Sequence, residues 1–145
     1  MYDARRHICF NLGRVMRRVY DYYEKRLAPF DLTPPQFFVF NALWMRDGIT
    51  ISELGELVSL DSSTLTGIID RMEKNSYVER RQNPDDRRSA LVFLTDKARK
   101  LAPRILEFAD ELDATLRKPF SRKDITIFER VLRELGGHNI LPPED

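Results

Sequence analysis

Two amphipathic helical patterns stand three residues apart between residues 50 and 75, and this spacing constrains the chain more than any other feature. Thr50-Ile51-Ser52-Glu53 has the composition of a capping box, with Thr at the cap and Glu at the third helical position. Ile51, Leu54 and Val58 then fall on one face of a short helix. A second pattern runs from about Ser62 to Asn75, with Leu65, Ile68, Ile69 and Met72 at relative positions 0, 3, 4 and 7. Ser59-Leu60-Asp61 between them is too short for anything but a tight turn. Helix, tight turn and helix make the helix-turn-helix pattern.

The residues after this helix pair narrow the possibilities. Val78–Arg81 and Ala90–Leu94 are short β-prone runs, separated by a polar stretch containing Asp85-Asp86-Arg87-Arg88. Together they predict a β-hairpin with a loop longer than the commonest two-residue kind. A hairpin directly after a helix-turn-helix is a wing. The second helix of the pair would lie in a DNA major groove, and the hairpin tip over the neighbouring backbone or minor groove. A narrow minor groove concentrates negative potential and attracts Arg, so Arg87 and Arg88 are the candidates to enter it. Asp85 is expected to accept hydrogen bonds from an Arg and hold its fork in one orientation. Alone, a turn of this composition is a solvated surface feature; the preceding helix-turn-helix gives it a partner.

The presumed recognition helix exposes Ser62, Ser63, Thr64, Thr66 and Gly67 in its first turns. Small hydroxyls can bond base edges or phosphates, and a Thr methyl can contact a thymine methyl. Gly67 would let the backbone come close. Simple N-capping needs only one residue, Asp61 or Ser62. Arg71 is expected to face a phosphate, with a pair to a neighbouring acid such as Asp70 as the plain alternative.

The remainder is helical. Residues 4–28 read as a long helix whose Ile8, Leu12, Val15, Val19 and Tyr22 step by four, three, four and three, a seam suited to a partner helix. Pro29 ends it. Thr33-Pro34-Pro35-Gln36 opens the next helix, and Phe37, Phe38, Phe40 and Trp44 are expected to supply core. Thr95 caps a long helix to about Lys118, which Pro103 should kink. Ser121 caps a last helix carrying Ile125, Phe128, Leu132 and Leu135, stopped by Gly136-Gly137. The fold class is therefore mainly α with a small hairpin wing.

Charge supports the assignment by its distribution. Net charge is only +1, but residues 1–30 hold seven Lys/Arg against three Asp/Glu, and residues 62–100 hold nine against six. No apolar run approaches the roughly 20 residues of a membrane helix, and the first ten residues lack the apolar core of a secretory signal, so a cytoplasmic location is expected. A single cysteine, Cys9, and two histidines, His7 and His138, make neither a disulfide nor a metal centre. No cofactor is expected. No phosphate loop or nucleophile–His–carboxylate set is visible, which argues against an enzyme.

The sequence resembles the MarR family of transcriptional regulators over nearly its whole length. The most specific match is the wing pattern DxRxxxLxxLT, read as Asp85, Arg87, Leu91, Leu94 and Thr95; "LTPPQFFVFNALW" resembles the family's second helix. The family often has Gly three residues after that Thr, where this chain has Ala98. The resemblance implies an intertwined homodimer on double-stranded, pseudo-palindromic operator DNA. Residues 1–30 and 119–145 would dimerise, 31–95 form the winged helix-turn-helix, and 96–118 the connecting helix. It also implies a small aromatic effector between the dimerisation helices and the winged helix. Such a pocket would draw on Phe10, Tyr20, Tyr23, Phe37, Phe40 and Trp44, with Arg14 or Arg17 for an anionic group; the plain alternative is that these aromatics are core.

"HICFNLGRVMRRVYDYY" and "LDSSTLTGIIDRME" are also similar to stretches of the OhrR-like organic-hydroperoxide sensors. In those, a cysteine stands where Cys9 does, and two tyrosines of the other subunit bond its thiolate. One of these positions falls on Tyr23 and the other on Pro34, which is not a tyrosine. Arg5 and Arg6 one helical turn before Cys9 would favour a thiolate, whereas a place near the apolar seam would make it packing. An oxidant is thus the alternative effector. A winged helix used for protein contact is the competing class, and would bind DNA weakly with little salt dependence.

Overall fold

The computed structural model describes residues 3–137. His138 and the end of the expected 119–145 dimerisation segment lie outside the described residues. The chain divides into two compact units, Met1–Phe108 and Ala109–Asp145. The first holds α1 (Ile8–Leu27), α2 (Pro34–Met45), β1 (Ile49–Thr50), α3 (Ile51–Val58), α4 (Ser62–Lys74), β2 (Val78–Gln82), β3 (Ala90–Leu94) and the first half of α5 (Asp96–Arg117). The second holds the rest of α5 and α6 (Arg122–Gly137).

The helix starts are set by local hydrogen bonds. Gln36 Oε1 accepts from the Thr33 amide at 2.9 Å, and Glu53 Oε2 from the Thr50 amide at 2.9 Å. Thr95 Oγ1 accepts from the Ala98 amide at 3.1 Å and Ser121 Oγ from the Asp124 amide at 3.2 Å, so the four expected caps are all made. α5 runs unbroken through Pro103.

The N-terminal helix is shorter than the expected 4–28. Ala4–Arg6 forms one 3-10 turn, His7 is extended (φ −90°, ψ 134°), and only then does α1 begin. The cause is local. Asp3 caps the turn by accepting from the Arg5 amide, and the Asn11 side-chain amide donates to the Arg5 and His7 carbonyls, at 2.8 and 3.1 Å. These bonds stabilise the break that a continuous helix would remove.

The sheet has three strands, in the order β1-β3-β2, all antiparallel. Val78 pairs with Leu94 and Gln82 with Ala90 across the hairpin, and Ile49 pairs with Val92 on the other side. β1 was not legible in the sequence. Gly48 before it has φ +69°, and a Cβ there would stand 2.5 Å from Phe93 Cε1, so both backbone conformation and close packing select glycine.

The core of the first unit gathers Phe37, Phe40 and Leu43 of α2, Leu54 of α3, Leu65, Ile69 and Met72 of α4, Tyr77, Val78 and Val92 around the sheet, and Ile105 of α5. Tyr77 is buried and donates its hydroxyl to the Phe30 carbonyl at 2.6 Å. Trp44, expected in this core, is 44% exposed at the end of α2. In α1 only Tyr23 and Leu27 are buried, and α6 buries none of its described residues. Ile8, Val15 and Met16 of α1, and Phe128, Val131 and Leu132 of α6, stand exposed in the single chain.

Candidate nucleic-acid interface

The turn between α3 and α4 is held by two backbone devices. Ser59 ends α3 in the left-handed region (φ 54°), and the Leu60 amide donates to the Gly55 carbonyl at 3.0 Å. The turn folds so closely over α3 that a Cβ on Gly55 would lie 2.8 Å from the Leu60 carbonyl oxygen. This aims the start of α4 away from the core.

α4 is two-faced. Leu65, Ile68, Ile69 and Met72 are buried, while Ser62, Ser63, Thr64, Thr66 and Arg71 are exposed and Gly67 is half-buried. Asp61 is the N-cap: its carboxylate accepts from the Thr64 hydroxyl at 2.6 Å and from the Thr64 amide at 2.9 Å. Those bonds, the hydroxyl's first, hold the Asp61 carboxyl below the usual carboxylate range. The Thr66 hydroxyl donates to the Ser62 carbonyl at 2.7 Å. Both threonine protons are thus committed within the helix, leaving acceptor lone pairs and methyl groups for an outside partner. A Cβ on Gly67 would meet nothing within 4 Å, so the protein's own packing does not require glycine there. Asp70 pairs with Arg80 at 2.6 Å rather than with Arg71, and Arg71 has no carboxylate partner among the described residues.

The wing tip is organised from inside. Asn83 is 9% exposed; its Oδ1 accepts from the Asp85 amide at 3.0 Å and its Nδ2 donates to Ser89 Oγ at 2.9 Å. The acid that holds an arginine here is Asp86, not Asp85: Asp86 Oδ1 accepts from Arg88 Nε at 3.1 Å and from the Arg88 amide at 3.0 Å. Arg87 is exposed and makes no ion pair among the described residues, and the Arg88 side chain is 91% exposed. Arg80 links the wing to α4, bonding Glu73 at 2.5 Å as well as Asp70. Burial works against its charge, but the two carboxylates outweigh this and hold the guanidinium more firmly protonated. Sequence reading missed Asn83, Asp86 and Arg80. An Asn before Pro at the head of a turn is the available signal for the first.

Within one protomer the eight residues expected around an effector differ in burial. Tyr23, Phe37 and Phe40 are buried, with the Tyr23 and Phe37 ring centroids 4.5 Å apart. Phe10, Arg14 and Arg17 are exposed on α1, and Phe10 lies ten residues, roughly 15 Å of helix, from Tyr20. Tyr20 lines a hollow of about 280 Å³, together with Phe38, Leu60, Thr64, Ile68 and Arg71. Cys9 is exposed in the first turn of α1. The break at His7 removes the helical turn expected before it, and Arg5 is engaged by Asp3 at 2.9 Å.

A helix-turn-helix followed by an antiparallel hairpin, with Ser62, Ser63 and Arg71 of the second helix and Arg87 of the hairpin tip exposed, defines a winged helix. Comparison with known proteins makes the class specific. The model of the MarR family matches residues 32–90. The solved structure of a MarR transcriptional regulator from Methanosarcina mazei Go1 superposes with a TM-score of 0.81 at 30% identity, covering 89% of this chain and 95% of that one. A mutant of MarR from E. coli complexed with operator DNA gives a TM-score of 0.75 at 28% identity, covering 86% and 93%. The HTH-type transcriptional regulator TtmR of Methylorubrum extorquens is 36% identical over 94 residues, 65% of this chain; the match spans about half of that relative, 48% of its length. The chain belongs to the MarR family.

Proposed function

We propose that this chain is a cytoplasmic, DNA-binding transcriptional regulator, not an enzyme. It acts as a homodimer that represses from a pseudo-palindromic operator and is released by a small aromatic ligand. The observation that carries the reading is Arg87, an exposed guanidinium with no ion pair among the described residues, in a loop held by the Asn83–Ser89 and Asp86–Arg88 hydrogen bonds. The operator complex of the E. coli relative supports it. Ser62, Ser63, Thr64 and Thr66 would meet base edges or phosphates, with Gly67 permitting close approach, and Arg71 would meet a phosphate. Arg87, with Arg88 beside it, would enter the minor groove. Asp85 stays in the reading only as part of the turn. The apolar residues exposed on α1, and separately those exposed on α6, support a dimer, since apolar surface of this kind is stable in water when a second copy covers it. No described helix is long and apolar enough to cross a membrane.

The hollow beside Tyr20 supports the effector. It offers apolar walls, and Arg71 to take a carboxylate, and a ligand holding Arg71 would withdraw it from phosphate. The signal needs a preference for the non-binding state of about 1–3 kcal/mol. The test is fluorescence anisotropy with a duplex from upstream of the protein's own gene. Arg87→Ala is expected to weaken binding by more than about fivefold. Unchanged affinity would remove the wing from the interface, and weak, salt-insensitive binding by the wild type would favour a protein-contact role. A benzoate-class acid should loosen the wild-type complex and leave that of Tyr20→Ala unaffected.

The exposure of Cys9 favours a second trigger, oxidation of its thiol by an organic peroxide. Pro34 is buried at the start of α2, so no phenol stands there to bond a thiolate. DNA binding that peroxide abolishes in the wild type but not in Cys9→Ser would select this trigger over the aromatic one.

A further inference from the structure

We infer that Asp47 is a positioning residue for DNA binding: its carboxylate ties the root of the wing to the start of α5 and so sets where Arg87 meets the duplex. The inference rests on the DNA-binding reading above. Asp47 lies in the turn between α2 and β1. Its Oδ1 accepts from the Leu94 amide at 2.9 Å, and its Oδ2 pairs with Arg99 in the opening turns of α5. Its side chain is 22% exposed, so the pair is partly screened from water.

The placement explains the residue. β1 covers β3 only at Val92 and Leu91, and the Gly48 amide adds a bond to the Val92 carbonyl at 3.0 Å. Beyond that β1 has run out, and the Asp47 carboxylate continues the ladder to Leu94 in place of backbone. On the far side of the hairpin Arg80 ties β2 to α4. The wing is therefore held at its root by side chains on both flanks: Arg80 toward α4, the Thr95 hydroxyl, which donates to the Ser76 carbonyl at 2.6 Å, and Asp47, which joins β3 to Arg99 of α5. From Leu94 to Ala90 is about 13 Å of strand. A tilt of about 10° at the root would move the far end by about 2 Å, more than the roughly 0.5 Å spread that a hydrogen bond to phosphate or base allows. The Arg87 contact thus depends on an anchor that touches no DNA.

Three variants separate the parts. Asp47→Ala removes both bonds, Asp47→Asn keeps an acceptor for Leu94, and Arg99→Met removes only the ion pair. Each is titrated against the labelled upstream duplex over a range of salt, in the wild-type and Arg87→Ala backgrounds, and amide exchange at Leu94 is followed without DNA. Asp47→Ala is expected to speed Leu94 exchange, to weaken binding about fivefold, and to reduce the salt slope by about one, as Arg87→Ala does. Added to Arg87→Ala it should cost little more, because the contact it positions is already gone. Arg99→Met should act in the same direction with a smaller effect, and it carries the test if Asp47→Ala does not fold. Equal losses in both backgrounds, or unchanged affinity while the wild type binds tightly, would overturn the inference. Absence of wild-type binding to any duplex would overturn the DNA-binding reading itself; faster Leu94 exchange would then report an anchor of the fold alone.

Discussion

Gly67 separates packing from binding at a single residue. Within a helix, glycine costs about 1 kcal/mol relative to alanine, and nothing within 4 Å would resist a methyl group at this position. Gly67→Ala is therefore expected to raise stability in denaturant unfolding by about 0.5–1 kcal/mol. The same methyl would stand between α4 and a duplex, so DNA affinity should fall. Higher stability with unchanged affinity would take Gly67 out of the interface. Gly55 and Gly48 are different, because the Leu60 carbonyl and the Phe93 ring occupy the space a Cβ would need.

The wing as an element depends on a residue that does not point outward. Asn83 joins Asp85 to Ser89 across the loop and is almost fully buried, so its loss leaves an unsatisfied amide and an untied turn. Asn83→Ala is expected to cost about 1–2 kcal/mol of stability and to lower DNA affinity in proportion to the freedom given to Arg87. Binding at wild-type strength by this variant would show that the duplex itself orders the loop. The opposite anchors, Arg80 to α4 and Asp47 to α5, divide the support of one hairpin between two helices. A wing oriented in this way loses less entropy on binding than a free one.

For the whole molecule, the exposed apolar residues of α6 are the largest departure from a self-sufficient chain. Phe128 is 54% and Leu132 41% exposed, four residues apart on one helix face. Leu132→Asp is expected to leave the helical content of the chain intact and to convert a dimer to a monomer in sedimentation equilibrium. Affinity for a two-half-site operator should then fall by more than about tenfold, since each half-site is bound independently. A dimer that survives this substitution would place the interface elsewhere.

What the residues determined by themselves were the events within about four positions of each other, caps at Thr33, Thr50, Thr95 and Ser121 and the apolar faces of α3 and α4, together with the two β-prone runs whose short polar connection predicted the hairpin. Hydrogen bonds of that range form wherever the residue types and spacing allow, so they can be read in one dimension. Tertiary structure alone decided the rest. β1 is two residues long and exists because β3 lies beside it. Asp47 and Arg99 are 52 positions apart and meet only once the sheet is built. Tyr23, Phe37 and Phe40 carry the same chemistry as Tyr20, yet the packing of α1 on α2 sends those three rings into the core and leaves Tyr20 at the hollow. An aromatic side chain records that it prefers to leave water, but not whether protein or ligand will cover it; that is set by which elements arrive next to it.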